Sequence, residues 1–239
     1  MEMDILVCLP TYDERENLEP MLRALGEVLP DGGRVFVIDD SSPDGTGELA
    51  DRLASELRFV DVLHRPVKEG LGPAYVAGFR RALAGDAELI VQMDCDFSHS
   101  PADVPRLIEA ASQADLVLGS RYVEGGSVRD WGPLRRALSK GASLYTRALL
   151  MPVHDPTGGF KCFRREVLET IDLGAVASSG YAFQIETTYR ALRAGFRVLE
   201  IPISFADRRR GSSKLSRAIV LEAVWKVPSL RLAAARGRL

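Results

Sequence analysis

Cysteine is scarce in this 239-residue chain. Cys8, Cys95 and Cys162 are scattered, odd in number and nowhere at Cys-x-x-Cys spacing, so neither a disulfide framework nor a thiolate zinc site is indicated. Such usage fits a reducing, cytoplasmic setting. Long apolar runs are missing too: no segment approaches the roughly 20 consecutive apolar residues that span a bilayer. The opening stretch, with acids at Glu2 and Asp4, does not read as a secretory leader. Charge of one sign is also absent. A formal net charge of −2 gives no global field for nucleic acid, and no nucleic-acid partner is expected. Finally, neither a Gly-x-Gly-x-x-Gly after the first strand nor a Walker-type loop is present, which removes support for dinucleotide redox and P-loop chemistry. Gly70-Leu71-Gly72 is too short for either and reads as a turn that opens a helix. No repeat or Ser/Gly linker divides the chain, so one domain is expected, large enough to bury a substantial core.

What is present is an alternation of short apolar runs with amphipathic stretches, the pattern of βαβ units and a mainly parallel sheet flanked by helices. Strands are predicted at Ile5–Leu9, Arg34–Ile38, Phe59–Leu63, Leu89–Met93 and Leu116–Leu118. Helices are predicted at Asn17–Val28, Thr46–Leu57, Pro73–Leu83 and around Val104–Ala111. Beyond Gly119 the alternation fades. Tyr122–Pro133 reads as a Gly-rich loop, Leu134–Leu150 as a helix, Asp155–Gly159 as a turn, and Tyr181–Ala194 as a helix closed by Gly195. Val198–Phe205 reads as a strand that Pro202 confines to an edge, and Leu215–Leu232 as an amphipathic helix that Pro228 should kink or end.

In open α/β sheets, ligands sit outside the carboxyl ends of the strands. The polar residues after the strands are therefore the candidates: Pro10 to Glu14, Asp39 to Thr46, and Asp94-Cys95-Asp96. Alternate residues of an extended strand end point the same way, so Asp94 and Asp96 can converge on one cation, and oxygen ligands suit Mg²⁺ or Mn²⁺. The plain alternative is a turn pair, common after strands. Asp39-Asp40 has the same two readings: a turn and helix cap, with Asp44 or Thr46 doing the capping, or a carboxylate reaching a ribose hydroxyl or a base N–H. The second half supplies cations. Arg121 follows the fifth strand, Arg135 and Ser139 lie one helical turn apart, and Arg208 and Lys214 bracket a Gly/Ser loop. Several such cations beside an acidic site suggest an anionic second substrate. His99 and His154 read as structural, and Glu186 is the candidate should a general base be needed.

These segments resemble the polyprenol-phosphate (dolichol-phosphate) mannosyltransferases, inverting glycosyltransferases of family 2 with the GT-A fold. The resemblance is carried by Leu9-Pro10-Thr11-Tyr12-Asp13-Glu14, Ile38-Asp39-Asp40-Ser41-Ser42-Pro43-Asp44-Gly45-Thr46, Met93-Asp94-Cys95-Asp96-Phe97-Ser98-His99 and Gly119-Ser120-Arg121-Tyr122. It continues through Ser139-Lys140-Gly141-Ala142, Asp155-Pro156-Thr157-Gly158-Gly159-Phe160, Gly180-Tyr181-Ala182-Phe183-Gln184 and Ile201-Pro202-Ile203-Ser204-Phe205 to Lys214-Leu215.

The resemblance implies that Pro10, Tyr12, Glu14, Ile38 and Asp40 hold the guanosine of GDP-mannose, and that Asp94, Cys95 and Asp96 form the metal-and-diphosphate motif. It implies that Arg121, Arg135, Ser139, Arg208 and Lys214 grip the donor diphosphate or the lipid phosphate. Cys95 stands where Ala is usual, and Ser98 where some members place a metal-coordinating Gln. The alternatives are a UDP-glucose-dependent relative, acting on a lipid phosphate or a soluble hydroxyl, and a catalytically silent binding subunit. The catalytic domain is expected over residues 1–214. Residues 215–239 form a basic helical tail that packs on that domain, lies on the cytoplasmic face of a membrane, or docks a small membrane-protein partner.

Overall fold

The computed structural model describes residues 4–176, 180–207 and 217–236. The apolar runs form the strands β1 (Ile5–Thr11), β2 (Arg34–Asp39), β3 (Val60–His64), β4 (Leu89–Gln92) and β5 (Leu116–Ser120). Three more elements follow the sheet's first half: the short β6 (Ser127–Val128), β7 (Lys161–Arg164) and β8 (Val198–Pro202), with β9 (Ser204–Phe205) directly after. Seven strands make one sheet in the order β3-β2-β1-β4-β7-β5-β8. All its pairings are parallel except those of β7, which lies antiparallel between β4 and β5. As predicted, the Pro202 strand takes the edge.

Strands β1, β2, β4 and β5 are buried on both faces because their side chains alternate between two apolar layers. Ile5, Val7 and Leu9 of β1 enter the core shared with α1 (Arg15–Val28), α2 (Thr46–Glu56) and α4 (Val104–Ala110). Leu6 and Cys8 enter the opposite core, under α3 (Leu71–Leu83), α6 (Arg165–Thr170), α7 (Gly180–Arg193) and α8 (Arg217–Ala235). Gly78 lets α3 close on this face: a Cβ there would sit 2.8 Å from Ile38 Cδ1 and 3.2 Å from Cys8 Sγ.

The structure departs from the sequence expectations in three places. The expected loop over 122–133 contains β6, which pairs with β9. The unexpected β7 carries charged residues at both ends, and Lys161 is fully buried. Its ammonium donates to the Gln184 carbonyl at 2.8 Å and to the Thr187 and Thr188 hydroxyls at 3.0 Å each, tying β7 to α7, while burial pulls its pKa well below the ordinary lysine value. Third, α8 runs through Pro228 to Ala235 without ending there. Its second half packs in part on the protein. Val227 and Leu230 are buried, Lys226 pairs with the buried Glu186 at 3.1 Å, and Arg231 donates to the Leu149 carbonyl at 3.0 Å. Trp225 and Leu232 of the same helix are exposed.

Candidate active site

Because β7 runs backwards, its first residues meet the carboxyl ends of β4 and β5, at the end of the sheet where β1 and β2 also finish. A cleft of about 390 Å³ opens there. The turns at this edge are sharp. Asp13, Ser41 and Phe97, each just beyond one of these strands, all adopt left-handed backbone at φ 58°, 61° and 59°. Strained non-glycine backbone of this kind persists only where the surroundings hold it.

At one end, Pro10, Tyr12, Glu14 and Asp40 line the cleft, as the sequence predicts. Asp40 is held by Arg65 on one oxygen and by the Gly70 N–H at 3.2 Å on the other. Gly70 takes φ 100°, a conformation that spares only glycine, so the N–H opening α3 can reach that carboxylate. Glu14 accepts from Asn17 Nδ2 at 2.7 Å. The Tyr12 ring lies under the Lys68 ammonium, 3.3 Å from its centroid. Lys68 is a cleft residue that sequence reasoning missed, since nothing in a lone loop lysine marks it. Ile38 behaves differently from expectation: its side chain is fully buried under Gly78 and does not line the cleft.

In the middle, Asp94, Cys95, Asp96 and Ser98 come together as predicted. Asp94 Oδ1 accepts from the Tyr75 hydroxyl at 2.8 Å, and Asp96 Oδ1 from the Ser98 N–H at 3.0 Å. Burial, reinforced by Asp94, pushes the Tyr75 phenol well up, so it stays a donor. Burial and the neighbouring carboxylates Glu14, Asp96 and Asp94 likewise raise the Cys95 thiol, which leaves oxygen, not sulfur, as the donor chemistry here. Among the described residues no group of three His, Cys, Asp or Glu side chains gathers as a cation cage. Two oriented carboxylates in an open cleft suit a hard divalent cation that completes its shell with water and substrate oxygens.

His99 sits beneath this motif. It stacks on Phe160 with ring centroids 4.9 Å apart, and its Nδ1 accepts from the Asp94 N–H at 3.2 Å. That bond requires a neutral ring protonated at Nε2. Burial accordingly lowers its pKa from the ordinary 6.5. The unfolded chain takes up a proton at this side chain as pH falls through its ordinary value, whereas the folded chain resists it. Stability from His99 is therefore present above about pH 6.5 and lost below it. Urea midpoints measured between about pH 8 and pH 5 should fall more steeply for wild type than for His99→Gln; parallel slopes would show that His99 does not titrate this way.

The cations occupy the other end. Arg121 is buried, and its guanidinium makes a two-pronged pair with Asp155, Nε to Oδ2 at 2.7 Å and Nη2 to Oδ1 at 2.6 Å, with Thr157 Oγ1 at 2.8 Å. The Arg121 N–H also donates to Asp155, at 2.9 Å. Rings of Tyr122, Trp131 and Phe205 surround it at 5.2 to 5.5 Å. Arg135, on α5 (Pro133–Leu149), lies 4.1 Å over Trp131 and donates Nη1 to both Asp207 oxygens at 2.9 Å. Two donors here are buried without a hydrogen-bond partner among the described residues, Arg135 Nε and Trp131 Nε1. Ser139, one turn along α5, accepts from the Tyr122 hydroxyl at 2.7 Å. It is not among the residues that line the cleft with Arg135. Arg208 and Lys214 lie outside the described residues.

Glu186 is not among the residues that line the cleft. It is buried against Arg190, with Nε and Nη2 at 3.0 and 2.9 Å from Oε1, and against Lys226. The described carboxylates that do line the cleft all carry partners: Glu14 with Asn17, Asp40 with Arg65, Asp94 with Tyr75, Asp96 with the Ser98 N–H, Asp207 with Arg135. Thr157 and Gln184 complete the wall. Gln184, on α7, accepts from Gln92 Nε2, on β4, at 2.7 Å, a pairing across 92 residues that was invisible in the sequence.

Comparison with known proteins agrees with this geometry. The family described as glycosyl transferase family 2 matches residues 6–172. Over 98% of its length the chain is 48% identical to the polyprenol monophosphomannose synthase of Mycolicibacterium smegmatis, covering 88% of that protein. It is 46% identical over 97% of its length to the undecaprenyl-phosphate mannosyltransferase of Micrococcus luteus, covering 96% of it. Among solved structures, glucosyl-3-phosphoglycerate synthase from Mycobacterium tuberculosis, in complex with Mn²⁺, UDP-glucose and phosphoglyceric acid, superposes with a TM-score of 0.70 at 20% identity. The match covers 95% of this chain and 79% of that one, and shares the fold.

Proposed function

From the premise that this chain belongs to the polyprenol-phosphate mannosyltransferases of glycosyl transferase family 2, we propose that it transfers mannose from GDP-mannose to a polyprenyl phosphate, with Mg²⁺ or Mn²⁺ as cofactor. The observation that carries the acceptor class is the near full-length likeness to two enzymes named for mannosyl transfer to polyprenyl phosphates. The cleft fits it. The Tyr12–Glu14–Asp40 end takes the nucleoside, where a carboxylate such as Glu14 can accept from the N–H groups of guanine. Asp94 and Asp96, with Ser98 alongside, would hold the cation, which neutralises charge on a departing diphosphate.

The acceptor needs no general base. A phosphate monoester has its second pKa near 6, so its oxygen is already largely ionised at neutral pH. That oxygen attacks the anomeric carbon while the bond to the GDP β-phosphate oxygen breaks and its electron pair leaves with GDP. The partnered carboxylates of the cleft are consistent with such a reaction, since none is required to take a proton. The protein's own contribution is to hold an anion in line and to stabilise charge. Arg121, fixed and walled by aromatic rings, supplies a field without moving. Arg135, whose Nε has no hydrogen-bond partner among the described residues, is proposed to meet the lipid phosphate. Ser139 supports that wall through Tyr122, and Arg208 and Lys214 are proposed to close on the phosphates.

Kinetics separate the two ends of the cleft. Arg135→Ala should raise the KM for a short polyprenyl phosphate about tenfold or more, as expected for losing one charge-assisted bond, while GDP affinity stays near wild type. An equal loss of GDP binding would put Arg135 on the donor side. Turnover with UDP-glucose and none with GDP-mannose would replace the proposed donor.

A further inference from the structure

Gln184 lines the cleft from α7 and is held at backbone and side chain alike. Its backbone carbonyl accepts from the buried Lys161 ammonium at 2.8 Å, and its side-chain oxygen accepts from Gln92 Nε2 at 2.7 Å. Gln92 Nε2 also donates to the Gly159 carbonyl at 2.9 Å. A backbone carbonyl can only accept, so the Gln92 nitrogen is the atom that faces Gly159, and its second N–H fixes which end of the Gln184 amide is oxygen. Gln184 Nε2 is therefore the end that turns away from Gln92. The residue is buried, and among the described residues no group accepts from that NH2.

Gly159 shows what the NH2 faces. A Cβ there would lie 3.4 Å from Gln184 Nε2, 3.5 Å from His99 Cε1 and 3.8 Å from Asp94 Oδ2, and would meet nothing more closely. All four residues line the cleft. Tyr75 occupies the other Asp94 oxygen. The glycine thus leaves a space with a donor on one side and an acceptor on the other.

We propose that this space takes a hydroxyl of the transferred sugar, which accepts from Gln184 Nε2 and donates to Asp94 Oδ2, so that Gln184 is a specificity-determining residue for the sugar. A hydroxyl is the group that can both accept and donate. A phosphate oxygen has no proton to give and is repelled by Asp94, and a cation has no use for the NH2. The space also adjoins the carboxylate pair assigned to the metal, hence the diphosphate, and the sugar is bonded to that diphosphate. The assignment rests on the nucleotide-sugar donor proposed above and says how its sugar half is read. It gives the buried Lys161 and Gln92 a part in the site as positioning residues. They hold the amide in its working orientation before substrate arrives, and a preorganised donor gives up little freedom on binding.

The test is a kinetic cycle over GDP-mannose and its monodeoxy analogues, run with wild type, Gln184→Met and Gly159→Ala. Methionine keeps the length of the side chain and removes the donor. Alanine at Gly159 meets the protein at ordinary contact distances, so it should fold even where Gln184→Met does not, and its methyl fills the space. Wild type should lose about tenfold or more in kcat/KM with one of the deoxy analogues, as when a buried donor is left unpaired. Both variants should lose a similar factor with GDP-mannose, use that one analogue no worse than GDP-mannose, and bind GDP as wild type does. A merely structural role would lower GDP affinity and melting temperature together and leave the ranking of the analogues unchanged. Variants that rank the analogues as wild type does, or that lose GDP affinity as much as turnover, would overturn the assignment. A wild type inert with GDP-mannose but active with UDP-glucose would overturn the donor reading instead, and the same cycle on UDP-glucose and its deoxy analogues would then decide Gln184.

Discussion

Asp96→Ala should lower transfer by about a thousandfold, since a cation at a developing diphosphate charge contributes several kcal/mol and each ~1.4 kcal/mol is a factor of ten. The fold should survive. The carboxylate's structural bond is to the Ser98 N–H in a loop, and losing one such cap costs about 1 kcal/mol. Asp96→Asn separates the two roles, because an amide oxygen can still accept from Ser98 but ligates a hard cation poorly. Both variants should therefore be inactive, with only the alanine destabilised. Wild type in excess chelator should fall to the same residual rate and recover when Mg²⁺ or Mn²⁺ is restored. Undiminished turnover in chelator, or an active Asp96→Asn, would remove the metal assignment.

Asp155→Ala should be the most destabilising substitution near the site. Its carboxylate is fully enclosed and carries both prongs of Arg121 and the Arg121 N–H. Removing it leaves a buried guanidinium uncompensated, which costs about 3–5 kcal/mol. For a chain of this size that is a fall in melting temperature of roughly 6–20 °C. The damage extends beyond the pair. Glu200 on the edge strand accepts from the His154 and Asp155 N–H groups at 2.8 and 2.9 Å, so a continuous line of bonds joins the sheet edge to the cleft cation. Arg121→Met fills the box with apolar volume but strands Asp155, and should lose activity as well as stability. Calorimetry of the three proteins reads this directly. A melting temperature within a degree or two of wild type for Asp155→Ala would show that the pair is not the keystone of this wall.

The first half of the molecule was legible because its strands are continuous apolar runs buried on both faces, and because the strand-end rule locates the polar turns. Asp40, Asp94 and Asp96 sit beyond the carboxyl ends of β2 and β4, where that rule puts them. The second half was less so. Strand β7 holds Lys161 in the middle of the sheet, and only the three acceptors waiting on α7 make that residue tolerable. No local pattern encodes acceptors that arrive more than twenty residues later. The periodicity of α5 announced a helix but not which face points out. The usual assumption, apolar inwards, fails there. Tyr75 and Lys68 escaped notice for a similar reason, since their partners, Asp94 and the Tyr12 ring, are distant in sequence. In the C-terminal helix, an apolar stripe with flanking cations was compatible with either packing or an interface. In the structure Lys226 pairs with Glu186, while Trp225 and Leu232 stay exposed.

The central claim is mannosyl transfer to a lipid phosphate, and one reaction tests it most directly. Purified chain is incubated with radiolabelled GDP-mannose, a short polyprenyl phosphate and Mg²⁺ or Mn²⁺, and label is followed into the lipid, with the anomeric configuration of the product read by NMR. The account predicts a β-linked mannosyl phospholipid formed with one GDP released per mannose. Label appearing in free mannose or on a soluble hydroxyl acceptor, with none in the lipid, would contradict it.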